Sequence, residues 1–205
     1  MTTMHTSVRT SGRLLWAALR ALLVLTAVTG VLYPLAVTGI AQTAFHDRAN
    51  GSIVTDGGRE AGSSLIGQSW NGRDGGPDPR WFQGRPSNSA YDALSTGSSQ
   101  LGASDRRLVA AVREARAQVA AFNGVRASDV PADAVTGSSS AIDPHISPEY
   151  ARLQADRVAR ANGLAAADVR KLVAEHTEGR AAGFLGQPHV NVLELNLAVR
   201  GIAGR

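Results

Sequence analysis

The stretch Phe82-Gln83-Gly84-Arg85-Pro86-Ser87 brings together a glycine, an arginine and a hydroxyl, which could cradle a phosphate. The same residues could open a linker or form a turn that a partner reads. Other chemistry is harder to assemble. A phosphate-binding loop of the Walker type needs a lysine beside its glycines, and the one lysine, Lys171, falls inside a predicted helix. The five histidines (His5, His46, His145, His176 and His189) form no HExxH or HxxxH pair, so zinc catalysis is not indicated. No Gly-x-Ser-x-Gly elbow occurs. Asn50-Gly51-Ser52 matches a glycosylation acceptor, a tripeptide of little specificity. Cysteine is absent, which excludes disulfides and thiolate metal sites.

The elements that must position these residues begin with an apolar run. Ala21 to Phe45 carries no formal charge, and Leu14 to Leu19 extends it. Twenty-five residues reach about 37 Å as a helix, more than the ~30 Å hydrocarbon core of a bilayer. Residues 14–45 are therefore expected to be one transmembrane helix, with 1–13 as a cytoplasmic tail. The rival is a cleaved signal peptide, with Gly39-Ile40-Ala41 as its processing site, although such a core is usually about 7 to 15 residues long. Pro34 removes a backbone donor inside the span and predicts a bend. Thr26, Gly30 and Pro34 recur every four residues, a small-residue face able to pack on another helix. Arg9, Arg13 and Arg20 precede the span and only Arg48 closely follows it, which places the N-terminus in the cytoplasm and residues 46–205 outside.

The chain carries a formal charge of +4, and the three arginines before the span account for most of it. The near-neutral remainder lacks the basic field that nucleic-acid binding requires. Residues 50–103 read as short extended pieces (52–54, 64–67, 81–82) joined by turns such as Trp70-Asn71-Gly72. Composition leaves 87–104, with six serines, between disorder and an ordered loop. A helix follows, capped by Ser104, with Leu108, Val112, Ala115, Val119 and Phe122 on one stripe and Asn123-Gly124 as its stop. A second opens at Ser147-Pro148-Glu149 and runs to Asn162-Gly163. A third spans about 166–177. Asn191 and Glu194 have capping-box spacing, which favours a last helix over 192–203. The alternation Leu193, Leu195, Leu197, Val199 favours a strand there instead. The fold class is α+β: one N-terminal transmembrane helix and one extracytoplasmic mixed α/β domain.

Six segments stand in order: "VLYPLAVTGIAQ", "NGSIV", "GSSLIGQ", "WFQGRPS", "DPHISPEYA" and "FLGQPHVNVLELNLAV". Together they resemble the C subunits of the bacterial Kdp potassium-transporting ATPase, over about Val31 to Val199. The resemblance implies a non-catalytic accessory subunit of an ATP-driven potassium uptake complex in the cell membrane. Its partners would be a potassium-translocating channel-like subunit, a P-type ATPase subunit and a small stabilising subunit. It implies a catalytic chaperone that raises the ATPase subunit's affinity for ATP, so ATP is the implied cofactor, at or with that subunit. Some relatives have glutamine directly after Ile-Ser-Pro; here Glu149 stands there, a charge that repels phosphate. The resemblance also makes 87–104 an ordered loop docked on the domain or on a partner, with Arg85 as its candidate anchor. The alternative function is a stand-alone, membrane-anchored extracytoplasmic module that binds a small ligand or a wall component.

Overall fold

The computed structural model describes residues 8–204, and the chain divides into two units, one ending at Ser52 and one beginning at Ile53. Residues 1–7 of the expected tail lie outside the described residues. The boundary expected at 45/46 falls inside the first unit, because the helical turn His46–Ala49 belongs with the apolar helix.

In the first unit α1 (Val8–Ala27) passes into a five-residue π-helical segment, Val28–Leu32, and then into α2 (Tyr33–Ala44). Ser11–Ala44, 34 residues, is long and apolar enough to cross a membrane. The π segment has a local cause. Pro34 has no N–H, and its ring would collide with the carbonyl four residues back in a regular α-helix. Widening the preceding turn, with Tyr33 N–H donating to Val28 O, relieves that collision. Next to Pro34, where a bend is expected, the run stays helical and carries a π insertion. After Phe45, whose backbone leaves helical geometry, the turn α3 (His46–Ala49) closes the unit. Here Asn50 of the glycosylation tripeptide donates to Gln42 Oε1 (3.0 Å) and His46 O (2.7 Å).

The second unit starts with a hairpin, β1 (Ile53–Asp56) and β2 (Arg59–Ser63), turned at Gly57-Gly58 with both φ angles positive. Residues 64–104 contain no ladder strand, so the pieces expected at 64–67 and 81–82 are extended or turning chain. α4 (Arg106–Asn123) follows, capped by Asp105 where Ser104 was expected: the Asp105 carboxylate accepts from Arg107 N–H. Gly124 ends it in the left-handed conformation. β3 (His145–Ile146) leads into α5 (Pro148–Asn162), capped by the Ser147 hydroxyl as its sequence implies. α6 (Ala166–Glu175) stops short of Thr177, which opens β4 (Thr177–Glu178). β5 (His189–Asn191) then runs into α7 (Val192–Ile202). The ambiguous last segment is a helix, with Asn191 accepting from Glu194 N–H. Val192, Leu195, Asn196 and Val199 form its buried stripe at three- and four-residue spacing.

β3, β5 and β4 make an antiparallel sheet in that order, pairing His145 with Asn191 and Glu178 with His189. Its inner residues, Ile146 and Val190, join Ala151, Ala155 and Val158 of α5, Val169 and Val173 of α6, and Leu195 and Val199 of α7 in one core. Phe82, completely buried, is the loop's contribution. A side chain of that size contributes about 2–3 kcal/mol by leaving water.

Candidate functional site

The segment 79–85 crosses the core without a strand partner, so its backbone polar groups need other partners. Side chains of two helices, α5 and α7, supply them. Asn196 accepts from Phe82 N–H (2.8 Å) and donates to Phe82 O (3.0 Å). Gln154 does the same for Gln83, at 2.7 and 3.0 Å. Both amides are fully buried and imitate the paired bonds of a neighbouring strand. Arg157, also buried, donates to Pro79 O (2.6 Å) and Trp81 O (3.0 Å), to Asn123 Oδ1 (2.9 Å) and to Gln154 Oε1 (2.8 Å). Its guanidinium lies 4.3 Å from the centre of the Phe122 ring. Burial pulls its pKa down to about 10, which still leaves it charged at neutral pH.

Gly84 is needed for a second reason. A side chain there would strike the Tyr91 hydroxyl, which donates to Arg85 O (2.6 Å). From the other side a Cβ on Gly67 would sit 2.5 Å from Tyr91 Cε1 and 2.7 Å from Asp143 O. Tyr91 is thus held between two glycines, and burial pushes its hydroxyl up to about 12. Ser87 accepts from Tyr91 N–H and donates to Ala141 O (2.6 Å). Residues 87–91 are docked on the unit, and Gly97 N–H reaches Ser140 O farther along. Leu94, between them, is 98% exposed.

Arg85 is turned toward its own chain. It donates to Asp143 Oδ2 (3.1 Å), Thr136 O (3.3 Å) and Gly137 O (3.4 Å), so it fastens the 136–143 loop. Beyond it opens a cleft of about 760 Å³, lined by Arg85, Asp133, Asp143, His145, Glu178 and His189 among others. Here the structure brings together two histidines that sequence spacing kept apart. His145 and His189 meet edge to face with centroids 4.5 Å apart. Each has a carboxylate beside it: Asp143 at 3.4 Å from His145 Nδ1 and Glu178 at 3.7 Å from His189 Nε2. The shared dipeptides Pro144-His145 and Pro188-His189 were the available signal. Burial tends to raise the Asp143 pKa, but the bonds from His145 and the Arg85 charge outweigh it and hold the carboxyl below its ordinary range.

This arrangement does not assemble a nucleophile. The nearby Ser147 hydroxyl donates to Asp133 Oδ1 (2.9 Å) and accepts from Tyr150 N–H, which commits it to the helix cap. Among the described residues no three His, Asp or Glu side chains are grouped to hold a metal ion. A nucleotide fits poorly. The cleft carries three carboxylates and its arginine is already paired. Lys171 is exposed on α6 near Glu175. Glu149 is exposed in the first turn of α5, paired with Arg152 at 3.4 Å, and does not line the cleft. In the first unit, a Cβ built on Gly30 would meet Thr26 Cγ2 at 3.8 Å, so Thr26 and Gly30 do share a face.

An N-terminal apolar helix joined to an α+β unit defines a helix-tethered protein. Residues 15–201 match the family described as KdpC, the K+-transporting ATPase c chain. Relatives named potassium-transporting ATPase KdpC subunit include one from Streptomyces avermitilis, 51% identical over 96% of this chain and 97% of its own length. Another, from Kineococcus radiotolerans, is 50% identical over 89% and 90%. A third, from Dechloromonas aromatica, is 45% identical over 93% and 98%. The chain belongs to the KdpC family.

Proposed function

We propose that the chain is the non-catalytic accessory subunit of an ATP-driven potassium uptake complex. It sits in the cell membrane beside a channel-like potassium-translocating subunit, a P-type ATPase subunit and a small stabilising subunit. The observation that carries this reading is the use made of its polar groups. Asn196, Gln154, Arg157, Arg85 and Ser147 are all engaged within the chain, so the polar residues of its family motifs build a rigid surface and not a reaction centre. The apolar helix supports the membrane placement, and the arginine excess before it supports a cytoplasmic N-terminus with the α+β unit outside.

ATP is hydrolysed on the cytoplasmic side, so in this arrangement the subunit raises ATP affinity by allosteric coupling through the membrane helix, without a shared nucleotide site. Such couplings are typically about 1–3 kcal/mol. The Thr26, Gly30 and Pro34 face is the proposed contact with partner helices, and the loop fastened by Arg85 the proposed outer contact. The test is growth of a strain lacking this gene at limiting potassium. Full-length chain restores growth, and a chain truncated before Ile53 does not. Rescue by the α+β unit alone would overturn the anchored-subunit reading.

A further inference from the structure

Helix α4 gives one face to the core and leaves the opposite one in solvent. Val112, Ala115 and Val119 pack inward, with Leu108 and Phe122 continuing the stripe. Half a turn away, Arg106, Ala110, Arg113 and Ala117 follow one another at four-, three- and four-residue spacing, which at 3.6 residues per turn puts them on one line. Arg116 lies about a quarter turn to one side and is half-buried. Arg107 is paired with Asp105, and the one acid of the helix, Glu114, accepts from Gln118. Among the described residues Arg106, Arg113 and Arg116 have no acidic partner. The other helices of this unit are close to balanced, with pairs such as Arg152–Glu149, Arg170–Asp156 and Lys171–Glu175. Four arginines against one glutamate give α4 a formal +3, although the unit as a whole is nearly neutral. Arg106 and Arg113 are exposed on one line, with Arg116 flanking it.

We propose that this face of α4 docks on the anionic phospholipid headgroups of the bilayer that holds the N-terminal helix. The proposal rests on the membrane-anchor reading. Guanidinium groups match phosphate oxygens in pairs, which a lysine cannot do. Ala110 and Ala117 keep the line of Arg106 and Arg113 low, so headgroups can approach the charges, and the exposed Val109 is the one large apolar side chain beside Arg113 and Arg116. A field of three free arginines is weak for a protein in solution. Tethering changes that, because the covalent anchor makes contact with the bilayer an intramolecular event. The interaction is electrostatic and near the surface, so salt weakens it.

The absence of cysteine makes a direct test practical. Ala117→Cys, labelled with a fluorophore, is placed in the full-length chain and reconstituted into nanodiscs that contain a headgroup-attached nitroxide quencher. One set of discs is phosphatidylcholine alone and the other a phosphatidylcholine–phosphatidylglycerol mixture. The label is quenched in the mixture and not in the neutral lipid, and high salt removes the quenching. Each arginine near an anionic surface contributes about fivefold to binding, so Arg106→Gln, Arg113→Gln and Arg116→Gln together reduce docking by about a hundredfold. Glutamine keeps the helix propensity, so thermal unfolding of the triple variant matches the parent. Equal quenching in both lipids, quenching in neither, or quenching that appears only after the partner subunits are added would overturn headgroup docking. A chain that fails to enter the discs would overturn the anchor reading and docking with it. Both disc faces meet the same solution, so the inside–outside placement does not enter the result.

Discussion

At the scale of single residues, the network around Arg157 makes the sharpest claim. Its guanidinium satisfies two carbonyls and two side-chain amide oxygens, of which Trp81 O and Gln154 Oε1 are also reached by Gln83. Arg157→Ala takes the guanidinium from all four and leaves Pro79 O and Asn123 Oδ1 without their donor, and is expected to cost about 3–5 kcal/mol. Chemical denaturation of the full chain in detergent reads this loss, and a cost below about 1 kcal/mol would mean that the network is not what holds 79–83. Asp143 makes a prediction in pH. Its folded pKa lies below the unfolded value, so the stability it contributes is fully present above about pH 4 and is lost as pH falls through the folded value. The gap between the parent and Asp143→Asn should therefore narrow on acidification, and a gap that widens would reverse the assignment. None of the network was legible beforehand. Gln154 and Asn196 look like solvent-facing positions of helices, and their partners lie 71 and 114 residues away in sequence.

At the scale of elements, the legible parts were those whose signals are local. Ser147-Pro148-Glu149 and Asn191 cap the helices their spacing implies, and Gly124 and Gly163 end theirs. The last helix was ambiguous because its leucines alternate. The structure resolves it through Asn196, which must face inward with Leu195 and Val199 to reach Phe82. Loop 84–91 turns on Gly67, where Gly67→Ala forces a Cβ against the Tyr91 ring and the Asp143 carbonyl. Loss of about 1–3 kcal/mol is expected, with Tyr91→Ala in the same chain making the alanine at 67 less costly. Additive losses would show that Tyr91 is not the obstacle. In the anchor, a Cβ at Gly30 meets only Thr26 Cγ2, at ordinary contact distance, so the helix itself accepts a side chain there and the bulk of Gly30→Leu bears on a partner helix. Weakened co-purification with the partner subunits is expected for Gly30→Leu and not for Val28→Leu, which points away from that face. Equal retention of both would move the contact elsewhere.

For the whole molecule, the family was legible from six ordered motifs, and what those motifs do was not. The question posed by Phe82–Ser87 has a structural answer: the glycine admits Tyr91, the arginine fastens a loop, and the backbone is clamped by helices, so no phosphate cradle forms. A cysteine at the exposed Ser98 should react with a membrane-impermeant thiol reagent on intact cells, and protection there would place the α+β unit inside. The most direct test of the account is purification of the tagged full-length chain from host membranes in mild detergent. Stoichiometric recovery of a P-type ATPase and a channel-like subunit, with ATPase activity that responds to potassium, is the predicted result. Recovery of the chain alone, or binding of ATP by it at micromolar concentration, would contradict it.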